Sequence, residues 1–297
     1  MTYKKEDSAI ILLSGGLDSS TVLYFAINNG YKKIYAISFI YGQRHHIEIM
    51  YAQKIAKSLK ENIIEHKLIN IDLGSFGGSA LVDSNIQIPD SRFSDNENNY
   101  ADFIPVTYVP ARNTIFLSYA LAYAEVKNIH NIFIGVNAVD YSGYPDCRPD
   151  YISKFQELAN LATYIGTNDS SDHSSDEKYN KESETENFNS KDLNNKFNNS
   201  KKIKILTPLI NLTKAQIIEM GLELGVDYSM TISCYNPHYY NKNDSFLNKF
   251  FNKKNKHNIE NISNNDDICI SCGKCDACVL RLNGFSKNGI EDPILYQ

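Results

Sequence analysis

Short apolar runs alternate with amphipathic segments along the first half of the chain. A continuous apolar run at 8–14 ends at Gly15-Gly16, which is typical of a strand buried on both faces. Apolar positions then recur at helical spacing from 19 to 29, and Gly30 is placed to end that helix. The same alternation predicts further strands at 34–40, 63–71 and 132–136 and helices at 47–59 and 111–126.

Strands that alternate with helices indicate βαβ units, so the predicted fold class is α/β with a doubly wound, mostly parallel sheet. Residues 1–165 are predicted to form the main part of this core. Residues 203–238 are predicted to complete it, with a strand, Pro208 and a helix capped by Thr213.

Two polar segments interrupt this pattern. Residues 166–202 are rich in Asn, Ser, Lys, Asp and Glu, and they cannot bury enough apolar area to offset the entropy of ordering them. We therefore predict a disordered insertion there, and a second polar insertion at 239–267, which also contains three phenylalanines. The last segment, 268–297, is rich in cysteine and predicts a small metal-binding subdomain.

Composition and charge favour a soluble enzyme that acts on small-molecule substrates. Hydrophobic residues make up 42% of 297, and the net charge is −5 from 30 basic and 35 acidic residues. Nucleic-acid-binding proteins usually carry a basic excess, so direct nucleic-acid binding is not expected. No apolar run reaches the roughly 20 residues of a membrane span, and the apolar stretch at 9–13 is too short for a signal peptide. We expect a cytoplasmic protein without membrane contact.

The segment Ser14-Gly15-Gly16-Leu17-Asp18-Ser19-Ser20, between the first strand and the first helix, predicts an anion-binding loop. The first amides of a helix lack partners and carry partial positive charge, and glycines let an anion approach the backbone. Asp18 is itself anionic, so it is expected to orient the loop or to help hold Mg²⁺. Neither the Walker pattern nor G-x-G-x-x-G is present in the sequence.

This loop resembles the signature of the PP-loop ATP pyrophosphatase superfamily, whose members adenylate a carbonyl or carboxylate and release pyrophosphate. The resemblance implies that ATP is bound by the end of the first strand, the loop and the start of the helix. These residues are Leu13, Ser14, Gly15, Gly16, Leu17, Asp18, Ser19, Ser20, Thr21, Val22 and Leu23.

Four cysteines, each separated from the next by two residues, occupy 269–278, and Cys234 lies upstream. In a reducing compartment such crowding favours a metal over disulfides, and four thiolates suit structural Zn²⁺. An iron–sulfur cluster and a disulfide pair are the alternatives. The ferredoxin run ends in C-x₃-C followed by Pro, whereas the last spacing here is two and Val279 follows. Five cysteines are one too many for one site, so the fourth ligand stays open between Cys234 and Cys269.

Further segments resemble the 7-cyano-7-deazaguanine synthase family of queuosine biosynthesis. They cover nearly the whole chain apart from the two polar insertions. The matching segments are FIYGQRH at 39–45, VPARNT at 109–114, VDYSGYPDCRP at 139–149, TPL at 207–209 with LTKA at 212–215, SCY at 233–235 and CGKCDAC at 272–278.

The resemblance implies an ATP-dependent C–N ligase. In such an enzyme 7-carboxy-7-deazaguanine attacks the α-phosphate of ATP, ammonia converts the adenylate to an amide, and a second activation dehydrates the amide to the nitrile. It also implies Mg²⁺ with ATP, one structural Zn²⁺ per chain and a homodimer. Carried over, the zinc ligands are Cys234, Cys272, Cys275 and Cys278.

Candidate catalytic residues are Asp18 in the loop, Arg112 and Lys214 at predicted helix starts, and His45 after a strand end. Arg112 could clamp phosphate with two hydrogen bonds. A lysine at a helix start is disfavoured by the helix dipole, which suggests an anionic ligand for Lys214. A neutral His45 could act as a general acid or base.

The predicted substrate-binding residues fall in two motifs. The first holds Gln43 and Arg44 at a strand end, where ligands of α/β proteins bind. The second is a Tyr-, Gly- and Pro-rich turn whose carboxylates could accept from a guanine-like base and whose tyrosines could stack on it. Which of the two aspartates makes that contact stays open. The residues of the turn are Asp140, Tyr141, Tyr144, Asp146 and Arg148.

Two other functions compete with this interpretation. A PP-loop tRNA-modifying enzyme, such as a tRNA thiolase, would need a basic surface and usually a catalytic cysteine pair near ATP. The net charge is negative, and only Cys147 stands apart from the cysteine-rich region. The other alternative is a binding module that is stabilised by zinc and does not turn over ATP, and the intact loop at 14–20 argues against it.

Overall fold

The computed structural model describes residues 8–90, 104–137, 143–167, 202–240 and 268–297. The main sheet contains β1 (Ser8–Leu12), β2 (Lys33–Ile40), β3 (Ile63–Asn70), β4 (Asn131–Phe133) and β5 (Lys204–Leu206). Their order across the sheet is β3-β2-β1-β4-β5, and every neighbouring pair is parallel. The α/β prediction with a mostly parallel, doubly wound sheet is confirmed.

Helices follow most of these strands. They are α1 (Leu17–Asn28), α2 (Ile47–Ser58), α3 (Arg112–Lys127), α4 (Pro149–Leu161), α5 (Tyr164–Thr167), α6 (Lys214–Glu223) and α7 (Asp276–Lys287). Short 3₁₀ turns lie at Gly74–Phe76, Pro145–Cys147 and Tyr228–Met230. Within the described ranges, no helix combines the length and the apolar character that crossing a bilayer requires.

The central sheet has an apolar core on each face, because successive residues of a strand point to opposite sides. Ile10 and Leu12 belong to one cluster, which includes residues of α3 and α4. Ala9, Ile11 and Leu13 belong to the other, which includes residues of α1, α2 and α6. The sheet is therefore sandwiched between two helical layers.

The chain places β2 and β3 on one side of β1 and then crosses to β4 and β5 on the other. In open α/β sheets the crevice at such a reversal, beyond the carboxyl ends of the strands, is where ligands bind. In this chain that crevice lies beyond the ends of β1 and β4.

A second, two-stranded antiparallel sheet pairs β6 (His238–Tyr240) with β7 (Ile268–Ile270). Because β6 extends to Tyr240, regular structure continues two residues into the segment predicted as a polar insertion from 239. The helix α5 likewise extends beyond the predicted core boundary at 165. The rest of both predicted insertions, 168–201 and 241–267, lies outside the described residues.

Candidate active site and cysteine cluster

A cavity of about 210 Å³ opens beyond the carboxyl ends of β1 and β4. Its walls include the predicted anion loop, the ends of β2 and β4, the first turns of α2, α3 and α6, and the segment around 232–235. Of the eleven residues predicted to bind ATP, six line it: Leu13, Ser14, Gly16, Leu17, Asp18 and Ser19.

The anion loop exposes the amino end of α1 to this cavity. Gly16 is the N-cap of α1, and no side chain caps the helix there. The first-turn amides are therefore available to an anionic ligand, with the helix dipole behind them. Phosphate binding by these amides stays a prediction from the loop sequence, and the uncapped helix end is compatible with it.

Hydroxyl groups hold the loop in shape from within. Ser14 Oγ and Ser19 Oγ lie 3.0 Å apart, and Ser20 Oγ donates to the Gly16 carbonyl oxygen over 2.7 Å. Thr21 Oγ1 donates to the Leu17 carbonyl oxygen over 2.9 Å. The predicted ATP-binding residues that do not line the cavity are Gly15, Ser20, Thr21, Val22 and Leu23, and the last three are fully buried in the structure.

An ion pair joins two of the predicted catalytic residues. Lys214 Nζ donates to the two Asp18 carboxylate oxygens over 2.6 and 2.8 Å, and both side chains line the cavity. Lys214 is only 6% exposed, and it opens α6, whose N-cap Thr213 forms a capping box with Gln216. The pair places a cation beside the loop amides and compensates the charge of Asp18.

Arg112 lines the cavity on the opposite side, at the start of α3. Its guanidinium lies 5.8 Å from the Tyr41 ring centre and 5.9 Å from the Phe116 ring centre, and Nη1 donates to Tyr41 Oη over 3.4 Å. Stacking of this kind fixes a guanidinium without using all its donors, since arginine has five N–H groups. Arg112 is therefore positioned to bind a phosphate or carboxylate.

Two residues from the described part of the 139–149 motif line the cavity. Tyr144 lines it, and its hydroxyl lies 2.9 Å from Thr107 Oγ1 and 3.5 Å from Tyr235 Oη. Cys147 also lines it, and burial raises the pKa of the Cys147 thiol to about 12. A protonated thiol of this kind suits a wall residue and not a nucleophile.

The other substrate-binding predictions from this motif are placed differently. The Asp146 carboxylate accepts a hydrogen bond from the Asn113 backbone amide over 3.0 Å, so it pairs with a free N–H in the first turn of α3. Asp146 does not line the cavity. Arg148 is exposed at the N-cap of α4 and is not a lining residue. Asp140 and Tyr141 lie outside the described residues.

The predicted residues after β2, 43–45, contact other parts of the chain and do not line the cavity. Gln43 is buried and bonds the Tyr41 amide and the Phe39 carbonyl oxygen. Arg44 donates to the carbonyl oxygens of Asp83 and Ile86. His45 lies with its ring 6.2 Å from that of Tyr239. Burial, followed by the charge of Arg44, lowers the pKa of His45, but the ring is not among those lining the cavity.

Sequence reasoning missed several residues of the cavity wall. Glu48 enters from the first turn of α2, and Ile232 and Ser233 enter from the segment before Cys234. Ala277 and Arg281 enter from α7. A signal for Glu48 was present, because an acidic residue between Ile47 and Ile49 interrupts an apolar first turn.

Four cysteines meet behind this wall. Their Sγ atoms all lie within 4.8 Å of one another, and all four residues are buried. Cys269, on β7, is not part of this group, so proximity favours Cys234 as the fourth member. The four are the cysteines implied by the family resemblance: Cys234, Cys272, Cys275 and Cys278.

Backbone amides surround the sulfur atoms of this cluster. Cys234 Sγ accepts from the Cys272 and Asn236 amides over 3.2 and 3.3 Å. Hydrogen bonds with Cys234 and the other cluster thiols, together with the Lys274 amide, lower the pKa of Cys272. Amide donors favour thiolates, which are the form that binds metal, so the donor set fits a tetrahedral S₄ metal site.

The cysteine cluster and the anion loop are connected by direct contacts. The Ile232 amide, two residues before Cys234, donates to the Gly15 carbonyl oxygen over 3.1 Å. Arg281, on the helix that carries Cys278, donates to Thr231 Oγ1 over 2.8 Å and to both carboxylate oxygens of Asp292. The cluster therefore supports the segment that closes one wall of the cavity.

Comparison with known proteins assigns this arrangement to a family. A family model described as "Queuosine biosynthesis protein QueC" matches residues 8–289. The chain belongs to the QueC family. The resemblance expected from the sequence motifs is thus confirmed for this QueC-family chain over almost its whole length.

Curated relatives of this QueC-family chain share one name. The "7-cyano-7-deazaguanine synthase" of Desulfatibacillum aliphaticivorans is 44% identical over 296 residues, which span 100% of this chain and 99% of that protein. The protein of the same name from Rickettsia canadensis (strain McKiel) is 46% identical over 286 residues, spanning 96% and 97%. Among solved structures, the NMN synthetase from Francisella tularensis is similar with a TM-score of 0.38 at 19% identity, over 75% of this chain and 64% of that one.

Proposed function

We propose that this chain is an ATP-dependent ligase that converts 7-carboxy-7-deazaguanine and ammonia into 7-cyano-7-deazaguanine, a precursor step of queuosine biosynthesis. Its curated relatives carry the name of that activity over nearly their full length. The observation that carries the proposal is the single cavity in which the uncapped amides of α1, the Lys214–Asp18 pair and Arg112 converge.

These groups fit the activation of a carboxylate by ATP. The amides of α1 would hold the phosphates, and Lys214 would stabilise the charge that develops as pyrophosphate leaves. Arg112 would orient the attacking carboxylate or the α-phosphate from the opposite wall. Mg²⁺ bound with ATP would supply further positive charge, and Asp18 would offer it carboxylate oxygens in place of part of the contact with Lys214.

Recognition of the deazaguanine is assigned to the 139–149 motif. Tyr144 and Tyr235 present aromatic surface and hydroxyls to the cavity, which suits a flat, polar base. Because Asp146 is bonded to the start of α3, we propose Asp140 as the carboxylate that reads the base. Tyr141 and Arg148 remain proposed contacts, as do Gln43, Arg44 and His45 after β2.

We further propose that the cysteine cluster holds one structural Zn²⁺, that the enzyme is a homodimer and that it works in the cytoplasm. Four clustered, buried cysteines with amide donors fit a structural Zn²⁺ site. Six free cysteines suit a reducing compartment.

Incubation of the protein with the acid, ATP and ammonium, followed by mass spectrometry, tests the proposed activity. We expect the nitrile together with AMP and pyrophosphate, and an Asp18→Asn variant with loss of most of this turnover. Absence of the nitrile would overturn the proposal.

The tRNA thiolase alternative is disfavoured by the cavity. Cys147 is the one cysteine among its described lining residues, and burial keeps that thiol protonated at neutral pH. Retention of tRNA on the protein at physiological salt, with transfer of sulfur to the tRNA, would favour the alternative.

A further inference from the structure

Glu48 is the acidic side chain that α2 sends into the cavity. It lies in the first turn of that helix between Ile47 and Ile49, which are 5% and 7% exposed. Its own side chain retains access to the cavity, whose wall also includes Ser14 and Arg112. Glu48 therefore shares this cavity with Arg112, which acts on its charge, and its backbone carbonyl oxygen lies against Gly15 of the anion loop.

The groups around Glu48 determine its charge. Arg112 of α3 acts on it as a cation, Tyr41 beyond β2 and Tyr239 of β6 lie within electrostatic range, and Asp18 and Lys214 line the same cavity but neutralise each other. Burial raises the pKa of Glu48 to about 7, and Arg112 only partly opposes this. The carboxyl can therefore take up and release a proton near neutral pH, as a general base must.

The proposed reaction releases protons from nitrogen at two stages. When ammonia attacks the acyl adenylate, a C–N bond forms, the C–O bond to AMP breaks, and the new amide nitrogen must lose one proton. In the dehydration, the amide oxygen bonds to the α-phosphorus of a second ATP as pyrophosphate leaves. The C–O bond to the second AMP then breaks, and the nitrogen loses its two remaining protons as the nitrile forms.

We propose that the Glu48 carboxylate is the general base that accepts these nitrogen-bound protons and passes each to solvent. The inference rests on the proposed function and adds a catalytic residue to it. Glu48 lies beside the loop that holds the phosphates, where the reacting carbonyl must be when its oxygen joins the α-phosphorus.

Other described groups in the cavity are poorer bases. Asp18 is paired with Lys214 through both oxygens. Burial keeps the thiol of Cys147 and the phenol of Tyr144 protonated by raising their pKa values. The predicted base His45 does not line the cavity. Glu48 is thus the described carboxylate that is free to exchange protons there.

The test separates carboxylate activation from the nitrogen steps. Glu48→Gln keeps the shape of the side chain and removes the base, and Glu61→Gln, at an exposed position just beyond α2, is the matched control. Each variant is assayed for acid-dependent exchange of pyrophosphate into ATP and for formation of amide and nitrile. We expect Glu48→Gln to keep exchange within about 3-fold of wild type and to lose at least about 100-fold in amide and nitrile formation.

The pH dependence of amide formation distinguishes a general base from a residue that only maintains the structure, because only loss of the base should change its shape. At a constant concentration of free ammonia, amide formation by wild type should rise with pH through about 7, where Glu48 ionises. The Glu48→Gln variant should lose this rise with pH. Glu48→Asp should retain the rise, with a rate of amide formation below that of wild type.

Three results would overturn the assignment while leaving the proposed function in place. They are a parallel loss of pyrophosphate exchange in Glu48→Gln, nitrile formation at the wild-type rate, and a higher KM for the deazaguanine with unchanged kcat. A higher KM with unchanged kcat would mean that Glu48 binds the deazaguanine and does not accept protons. A wild-type enzyme that forms no nitrile would overturn the proposed function and this assignment with it.

Discussion

At the scale of single residues, Gly15 is required by the packing of the anion loop against α2. Its φ is +83°, and a Cβ there would overlap the Glu48 carbonyl oxygen and lie 2.6 Å from the Ala52 nitrogen. The sequence indicated a glycine for anion approach, but it could not show that the loop lies directly against α2. That contact depends on how the helix packs on the sheet.

A Gly15→Ala variant should be destabilised by strain and overlap together. Gly225 has a φ of +80° with no atom near its would-be Cβ, so Gly225→Ala measures the strain alone, about 1–2 kcal/mol. Gly15→Ala should cost about 1–3 kcal/mol more in the free energy of unfolding. Urea denaturation of both variants checks this, and equal costs would contradict the close packing of the loop on α2.

Glu48 should reduce the stability of the folded protein at high pH. Its folded pKa of about 7 lies above the value for an unfolded chain, so the unfolded state ionises first. The wild type therefore loses stability as the pH rises from about 4.5 through 7. Glu48→Gln should be more stable than wild type by about 1–3 kcal/mol at pH 8 and nearly equal to it at pH 4.5.

Urea denaturation at both pH values measures that difference, with Glu61→Gln as the control for removing a solvated carboxylate. A stability difference that does not change with pH would show that the raised pKa is absent.

At the scale of elements, the long helices α1, α2 and α3 lie within two residues of their predicted bounds. The predicted Thr213 cap of α6 is also confirmed. These features depend on local spacing and caps, which the sequence displays directly. Helix α7 was not predicted, because its first turn lies inside the cysteine motif and its ligand residues obscure the helical period.

The cap of α6 also has a role in positioning Lys214, the first residue of that helix. Thr213 Oγ1 accepts from the Gln216 amide, and Gln216 Oε1 accepts from the Thr213 amide. Thr213→Ala should destabilise the protein by about 1 kcal/mol, and Thr213→Ser should retain most of the cap. Thermal unfolding of the two variants measures the difference, and identical midpoints would mean that the cap contributes little.

At the scale of the whole molecule, the cysteine cluster packs against a wall of the candidate active site. The sequence indicated a metal site and left the fourth ligand open between two cysteines. It could not show that Arg281, beside the cluster, would reach the cavity, because that depends on the docking of α7 against the segment 228–232.

Removal of a cluster thiol should therefore affect both metal content and folding. Cys278→Ser should lose bound metal and lower the unfolding temperature markedly, since structural sites of this kind contribute directly to folding. Cys269→Ser, outside the cluster, should retain one metal per chain. Elemental analysis and thermal unfolding of both variants check this, and metal loss from Cys269→Ser would contradict the ligand set.

The ion pair between Asp18 and Lys214 joins residues 196 positions apart in the chain. During synthesis, at about 5–20 residues per second, the anion loop leaves the ribosome well before its cationic partner. The loop cannot be completed until α6 and the segment after it have emerged and docked. The proposed nucleotide binding would thus be a property of the finished fold, and we expect that a nascent chain carrying the complete loop motif does not yet bind ATP.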